Sequence, residues 1–370
     1  MLQKSVLRRI VSRIAVVFIL FTIIMSCDTN ATAYVPAAQP DNRVLVERAV
    51  TRIVPYNGSL WFASSKLYKK NAESSSSSHS YNGQWSLVNA KYGQTDLENI
   101  TAVATDGSYI FCSTTETVNG VFFKRVFIAS DGEHFTQIDI SAFTGFGNAN
   151  DSYAKDTDLL VFDNRAGDGS ESFTGRKAFV RLWNRNGGTY GNGAYEIHQL
   201  AGTQVASGVF SGSDSKSVSA AYFQGTTIFS ESLDMIFFNG MGYKTSGTSI
   251  QYSSNGNEWA SVNLNKGKIY SLAVTADYLL IGTENGIIRS SLNSGVPSST
   301  ISEFSNNAQT VLKTKVTGLY VFAASSNEGS TDEYCIMPSF KYVSSASERV
   351  EEIGVYAFYP DRGTWKKDID

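Results

Sequence analysis

Cys27 is the first residue of this chain whose type and position suggest chemistry. It closes Ile24-Met25-Ser26-Cys27, after a basic head (Lys4, Arg8, Arg9, Arg13) and an apolar run from Ile14 to Met25 broken only by Thr22. No acidic residue precedes Asp28. The run is shorter than the roughly 20 apolar residues of a membrane-spanning helix. Basic head, short apolar core and small residues at the end describe an export signal. The other candidate groups are dispersed. His79, His134 and His198 have no zinc-type spacing. "NGGTYGNG" (186–193) precedes a strand pattern rather than a helix, so it offers phosphate no helix N-terminus. The acidic loops "NANDSYAKDTD" (148–158) and "DNRAGDGSES" (163–172) lack the alternating ligands and closing Glu of a calcium loop. Neither a metal nor an organic cofactor is expected.

The stretch ending in Cys27 resembles the lipobox of bacterial lipoproteins, with aliphatic Ile24 at −3 and small Ser26 at −1. Leu is commoner at −3, and Ile there is a relaxed form tolerated in spirochaetes among others. The resemblance implies that the Cys27 thiol receives a diacylglycerol, that residues 1–26 are removed, and that the new amine is acylated. Each buried methylene contributes about 0.8 kcal/mol, so two or three acyl chains would hold the protein to a membrane. An uncleaved signal anchor, or cleavage after Ala31-Thr32-Ala33, is the alternative.

Removal of residues 1–26 leaves 370 − 26 = 344. Residues 27–42 are small, polar and Pro-containing, a composition too poor in apolar surface to fold, and read as a flexible tether. Residues 43–370 form the folded body. With a formal charge of −3 on the whole chain and no basic arm, nucleic acid is not an expected partner. Gly 31, Tyr 19 and Phe 22 accompany short runs of Val, Ile, Tyr and Phe cut by Gly, Asn, Asp and Ser. "ITAVATDGSYIFCST" (100–114) places two alternating segments around Asp106-Gly107, a hairpin dipeptide. The body is therefore expected to be all-β.

Six similar units recur at about 40–60-residue spacing, the range of four-stranded propeller blades. They run from "VTRIVPYNGSLWFASS", "ITAVATDGSYIFCST", a divergent copy at 157–199, "VSAAYFQGTTIFSES", "IYSLAVTADYLLIGTENGIIRSS" and "VLKTKVTGLYVFAAS". The late turns "ASDGEHF" (129–135), "SSNGNEW" (253–259) and "PDRGTW" (360–365) resemble the Asp-box, or BNR-type, turns of sialidase-like propellers. That resemblance assigns the turn role to Asp131, Asn255 and Asp361, with Gly132, Gly256 and Gly363 beside them. It assigns inter-blade packing to Phe135, Trp259 and Trp365. The expected architecture is a β-propeller of about six four-stranded blades behind a lipoprotein signal peptide and short tether; a double β-sandwich is the alternative. Cys112 and Cys335 fall in units two and six, which a six-unit ring keeps too far apart for a disulfide.

Sialidase-type chemistry needs three arginines around a carboxylate, a Tyr–Glu nucleophile pair and an Asp acid/base. The arginines here are scattered, and "TRIVP" (51–55) is the nearest match to that family's early Arg-Ile-Pro stretch, with Val inserted. Function must be read from a site rather than a fold. The expectation is an exported envelope lipoprotein, anchored to a bacterial membrane, whose non-catalytic propeller binds or scaffolds a protein or glycan partner. The alternative is a surface-anchored glycan-active hydrolase of sialidase-like type. Arginines and carboxylates converging on one face would favour the latter; loops 71–80, 145–176 and 207–217 are further candidate surfaces.

Overall fold

The chain divides into two compact units, Met1–Arg43 and Val44–Asp370. The computed structural model describes residues 50, 52–71, 84–118, 121–140, 154–155, 157–165, 175–184, 195–212, 217–223, 225–304, 315–323, 334–343, 350–359 and 364–369, all in the second unit. Cys27 and the whole of 1–42 lie outside them. Among the described residues no helix is long and apolar enough to cross a membrane.

Alternating apolar residues around tight turns build antiparallel meanders in chain order. The first sheet joins β1 (Ile53–Tyr56), β2 (Ser59–Ser64), β3 (Lys66–Asn71) and β4 (Ser86–Leu87). A hairpin of β5 (Lys91–Tyr92) and β6 (Thr95–Asp96) precedes the second sheet. That sheet runs β7 (Ile100–Thr105), β8 (Ile110–Val118), β9 (Val121–Ala129), β10 (His134–Ile138). β5 adds to it in parallel beside β10, and β11 (Ala154–Lys155) continues its edge against β9. The third comprises β12 (Thr157–Asp163), β13 (Ala178–Asn184), β14 (Tyr195–Ala201) and β15 (Gln204–Gly212). The fourth has only β16 (Ser219–Phe223) and β17 (Thr226–Ser230). The fifth is β18 (Met235–Phe238), β19 (Met241–Ser246), β20 (Ser249–Ser253) and β21 (Ala260–Asn263). The sixth is β22 (Ile269–Val274), β23 (Tyr278–Thr283), β24 (Gly286–Asn293) and β25 (Val296–Glu303). The seventh is β26 (Val316–Ala323), β27 (Tyr334–Val343), β28 (Val350–Tyr359) and β29 (Thr364–Ile369).

Each sheet packs face to face on the next. Trp61 and Leu67 of the first share a cluster with Cys112 and Phe127 of the second. Phe111 and Ile138 meet Val161 and Val180 of the third. Phe162 and Phe179 meet Ala220 of the fourth, whose Phe223 lies 4.9 Å edge-on to Phe237 of the fifth. Ile236 and Tyr243 join Leu272 and Ile281 of the sixth, and Leu280 joins Leu319 and Val321 of the seventh. Finally Tyr320, Phe322 and Val355 of the seventh pack with Ile53 and Phe62 of the first. The last contact closes a ring, and the fold is a β-propeller. Among the described residues closure gives each sheet an apolar contact with both neighbours, which is how such rings dispose of apolar surface.

The structure departs from the repeat reading at one place. The unit opened by "VSAAYFQGTTIFSES", expected to end in the turn "SSNGNEW", divides: among the described residues "SAAYF" and "TTIFS" pair only with each other, and "MIFF" opens a complete four-stranded sheet. A two-stranded sheet thus stands in the ring between full neighbours. The inner strands β7, β22 and β26 repeat a one-residue bulge, at Thr101, Tyr270 and Thr317, after a buried Ile or Val. This recurrence is the structural counterpart of the sequence repeat.

Candidate functional site

The axis of the ring, where propellers commonly place ligands, is crossed by side chains that the sequence reading passed over. Arg165 follows β12 and is buried. One guanidinium nitrogen donates to the Leu319 carbonyl at 2.9 Å. The other donates to the Leu272 carbonyl and to the Asp234 carboxylate, the latter at 2.5 Å. The Arg165 guanidinium also lies 5.0 Å from the Tyr320 ring centroid. One side chain from the third sheet therefore fastens the fifth, sixth and seventh. Asp234 Oδ2 further accepts the Leu272 amide at 2.8 Å.

A second tie covers the other half of the ring. Arg52, just before β1, donates to both the main-chain and the carboxylate oxygen of Asp163, the last residue of β12. Asp163 Oδ2 in turn accepts the Thr105 amide from β7 at 3.1 Å. Burial works to lower the Arg52 pKa, but Asp163, Tyr320 and Asp234 together hold it above its ordinary value. Tyr320 is pushed up to about 12, first by burial, against the pull of Arg165 and Arg52. Two arginines and two carboxylates balance in charge, and each is hydrogen-bonded, the condition under which buried ions are tolerated. The Arg165 donors face carbonyls and a carboxylate of this chain, whereas the buried Arg52 Nε has no hydrogen-bond partner among the described residues.

Arginines and acids do converge, but inside the core. Arg176 and Arg181, of the third sheet, are buried as well. A Tyr–Glu pair exists too, with Tyr195 donating to Glu231 at 2.8 Å. It joins β14 to the end of β17. Burial first, then Glu231, raises the Tyr195 pKa, leaving a phenol that is harder to ionise rather than a poised nucleophile.

The box turns have a common geometry. Asp131 Oδ1 accepts the amides of Glu133 and His134, each at 2.8 Å, and Oδ2 meets the His134 ring at 2.7 Å. Partial burial opposes the shift, yet these bonds pull the Asp131 carboxyl down to about 2. Asn255 Oδ1 accepts the amides of Asn257 and Glu258, both at 2.9 Å. Gly132 (φ 77°) and Gly256 (φ 76°) follow. Each glycine is a docking point for the preceding sheet: a Cβ on Gly132 would run into the Trp61 ring, and one on Gly256 into Ile228. Phe135 is buried. Trp259 is only half-buried; its indole N–H donates to the Gly256 carbonyl at 3.0 Å and Lys244 of its own sheet sits over the ring at 4.2 Å. Asp361 and Gly363 lie outside the described residues, and Trp365 pairs through its backbone with Phe358. Cys112 is a buried free thiol, its pKa raised by burial.

One open cleft of about 400 Å³ lies between the fifth and sixth sheets, lined by Phe238, Asn239, Tyr243, Leu292 and Ser294 among others. Its lining carries no charged side chain. Among the described residues no group of three His, Cys, Asp or Glu could hold a metal ion. Of the candidate loops, most of 71–80 and much of 145–176 lie outside the described residues, while 157–163 and 207–212 are strand (β12 and β15) rather than the loop expected there.

The sequence matches no protein-family model and no curated protein sequence. Among solved structures, the β-propeller domain of the Trilobed protease from Pyrococcus furiosus is similar at 9% identity, covering 88% of this chain and 97% of that one, TM-score 0.40. The PQQ-bound aldose sugar dehydrogenase from Streptomyces coelicolor is similar at 8% identity, with coverages of 80% and 90% and TM-score 0.39. PorZ, a surface component of the type-IX secretion system of Porphyromonas gingivalis, is similar at 11% identity, TM-score 0.24, covering 86% of this chain but 41% of that one.

Proposed function

We propose that this protein is an exported bacterial envelope lipoprotein, held to a membrane by acyl chains on Cys27, whose propeller is a non-catalytic binding or scaffolding body. The observation that carries the non-catalytic part is the Arg165 network. The Arg165 and Arg52 guanidinium groups and the Asp234 and Asp163 carboxylates, which a sialidase-like reaction would need turned toward a glycan, are turned toward one another and toward main-chain carbonyls. A substrate carboxylate would have to displace those bonds inside a low-dielectric core, and each orphaned buried group would cost about 1–3 kcal/mol. The anchor rests on the basic head, short apolar core and Ile24-Met25-Ser26-Cys27. The partner is a protein or a glycan.

Two measurements test the reading. Metabolic labelling with an alkyne fatty acid should mark the wild type and leave Cys27→Ala unlabelled; equal labelling overturns the anchor. The mature protein should turn over no fluorogenic sialoside or other glycoside. Hydrolysis that co-purifies with the protein and vanishes in Arg165→Met would overturn the non-catalytic assignment.

A further inference from the structure

The two-stranded fourth sheet is the one place in the described ring where strands are missing. Its faces are occupied: Phe229 stacks on Phe210 at 5.3 Å and meets Phe179 edge-on at 5.0 Å, while Phe223 packs on Phe237. Along its outer edge no third strand stands among the described residues. Every residue of β2, the second strand of the first sheet, is buried, as are five of six in β23; none of the five residues of β17 is. Among the described residues, those strands have a third strand beside them and β17 does not.

The ladder says which groups are left open. Phe223↔Thr226 closes the hairpin, followed by Tyr222↔Thr227, Ala221↔Ile228 and Ala220↔Phe229. The pair flanking a two-residue loop is hydrogen-bonded, and hydrogen-bonded and open pairs then alternate. Thr226 and Ile228 therefore bond to β16, while the N–H and C=O of Thr227 and Phe229 point outward. The edge "TTIFS" carries none of the Lys, Pro or bulge by which exposed strands are usually protected. The flanking sheets each extend two strands further out, so the edge is recessed by roughly 10 Å at about 4.8 Å per strand.

We propose that β17 is a docking edge for an extended peptide segment of a partner protein, which adds to the sheet as its missing third strand. Recession selects the occupant. A second copy of this globular ring would meet the walls formed by the third and fifth sheets before reaching the edge, whereas one extended chain fits between them. Main-chain pairing supplies the affinity, and Phe210 on the third-sheet side with Trp259 on the fifth-sheet side selects a peptide with apolar residues at alternate positions. The proposal rests on the binding reading above but not on the absence of catalysis, so either can fail alone.

A display library of random twelve-residue peptides, panned against the mature protein, supplies the probe. Selected peptides should slow amide exchange at Thr227 and Phe229. Thr227→Pro removes one outward N–H while leaving the bonds to β16, and should weaken binding about tenfold, the scale of one lost hydrogen bond. Thr227→Val, which also loses the 3.4 Å contact from the Asn164 side-chain amide, should bind within about twofold of wild type. Circular dichroism melts of both variants check that the fold survives. If no peptide is selected, if protection falls elsewhere, or if Thr227→Pro binds as tightly as Thr227→Val, the proposal is overturned. It is equally overturned if edge protection appears without peptide and tracks self-association, or if it disappears on deletion of residues 27–49.

Discussion

Replacing Arg165 by Met tests the part of the structure on which both the closed ring and the non-catalytic reading depend. The substitution keeps most of the apolar stem and removes the guanidinium. It leaves the Asp234 carboxylate buried with the Leu272 amide as its remaining partner, and it strips the Leu319 and Leu272 carbonyls of a donor. Removing one partner of a buried ion pair costs about 3–5 kcal/mol. Some of that returns through relaxation and through the apolar Met side chain, since pairs replaced wholly by hydrophobes are often neutral. The expected loss is therefore ~3 kcal/mol for Arg165→Met alone, and clearly less for Arg165→Met with Asp234→Leu, which removes the stranded charge as well. Urea unfolding of the mature protein, followed by tryptophan fluorescence, reads the difference as a fall in midpoint at constant slope. A single variant within about 0.5 kcal/mol of wild type would refute the reasoning. It would mean that water reaches the guanidinium and that the axis is an open channel.

The box turns give two smaller predictions. Gly132→Ala combines a left-handed φ with overlap on Trp61, and should cost about 2–3 kcal/mol in the same assay. Gly107→Ala, at φ 90° with open space around it, carries the backbone strain alone and should cost about 1 kcal/mol; equal losses would show that the Trp61 contact is not made. Asp131 has a depressed pKa, so its contribution is complete above the unfolded carboxylate range near 3.9 and fades as pH falls toward 2. The drop in melting temperature between pH 5 and pH 2.5 should be slightly larger for wild type than for Asp131→Asn, whose amide does not titrate; an identical drop would contradict the shifted pKa.

Much of the architecture was legible because it is written locally. Alternation around Asp106-Gly107 gave β7 and β8, and the spacing of similar units pointed to a ring of four-stranded sheets. The hydrogen bonds of Asp131 and Asn255 close within three residues, so a short motif suffices to place them. Trp259 shows the limit of such a motif. A large aromatic after a box turn reads as enclosed between sheets, but Lys244 covers it from its own sheet and leaves it half-buried. Whether an aromatic is enclosed depends on the neighbouring sheet, and nothing within seven residues reports on that.

The axial ties and the short fourth sheet were illegible for the same physical reason. Arg52 and Asp163 are 111 residues apart, and Arg165 and Leu319 are 154 apart. Their meeting is a property of ring closure, which no periodicity encodes. A weak trace was present: "LLVFDNR" and "SLDMIFF" set charges directly against strands that must be buried, where an ion survives only with a partner. In "VSAAYFQGTTIFSES" the alternation marks two strands correctly, since it reports which residues face neighbouring sheets, and both faces of the hairpin are covered. It carries no information about the direction perpendicular to the strand in the plane of the sheet, where pairing runs through the backbone and every sequence looks alike. A missing third strand therefore leaves no mark in the residue pattern. It becomes visible only as partial exposure along β17, and the same backbone groups that hide it from the sequence are the ones left open for a partner.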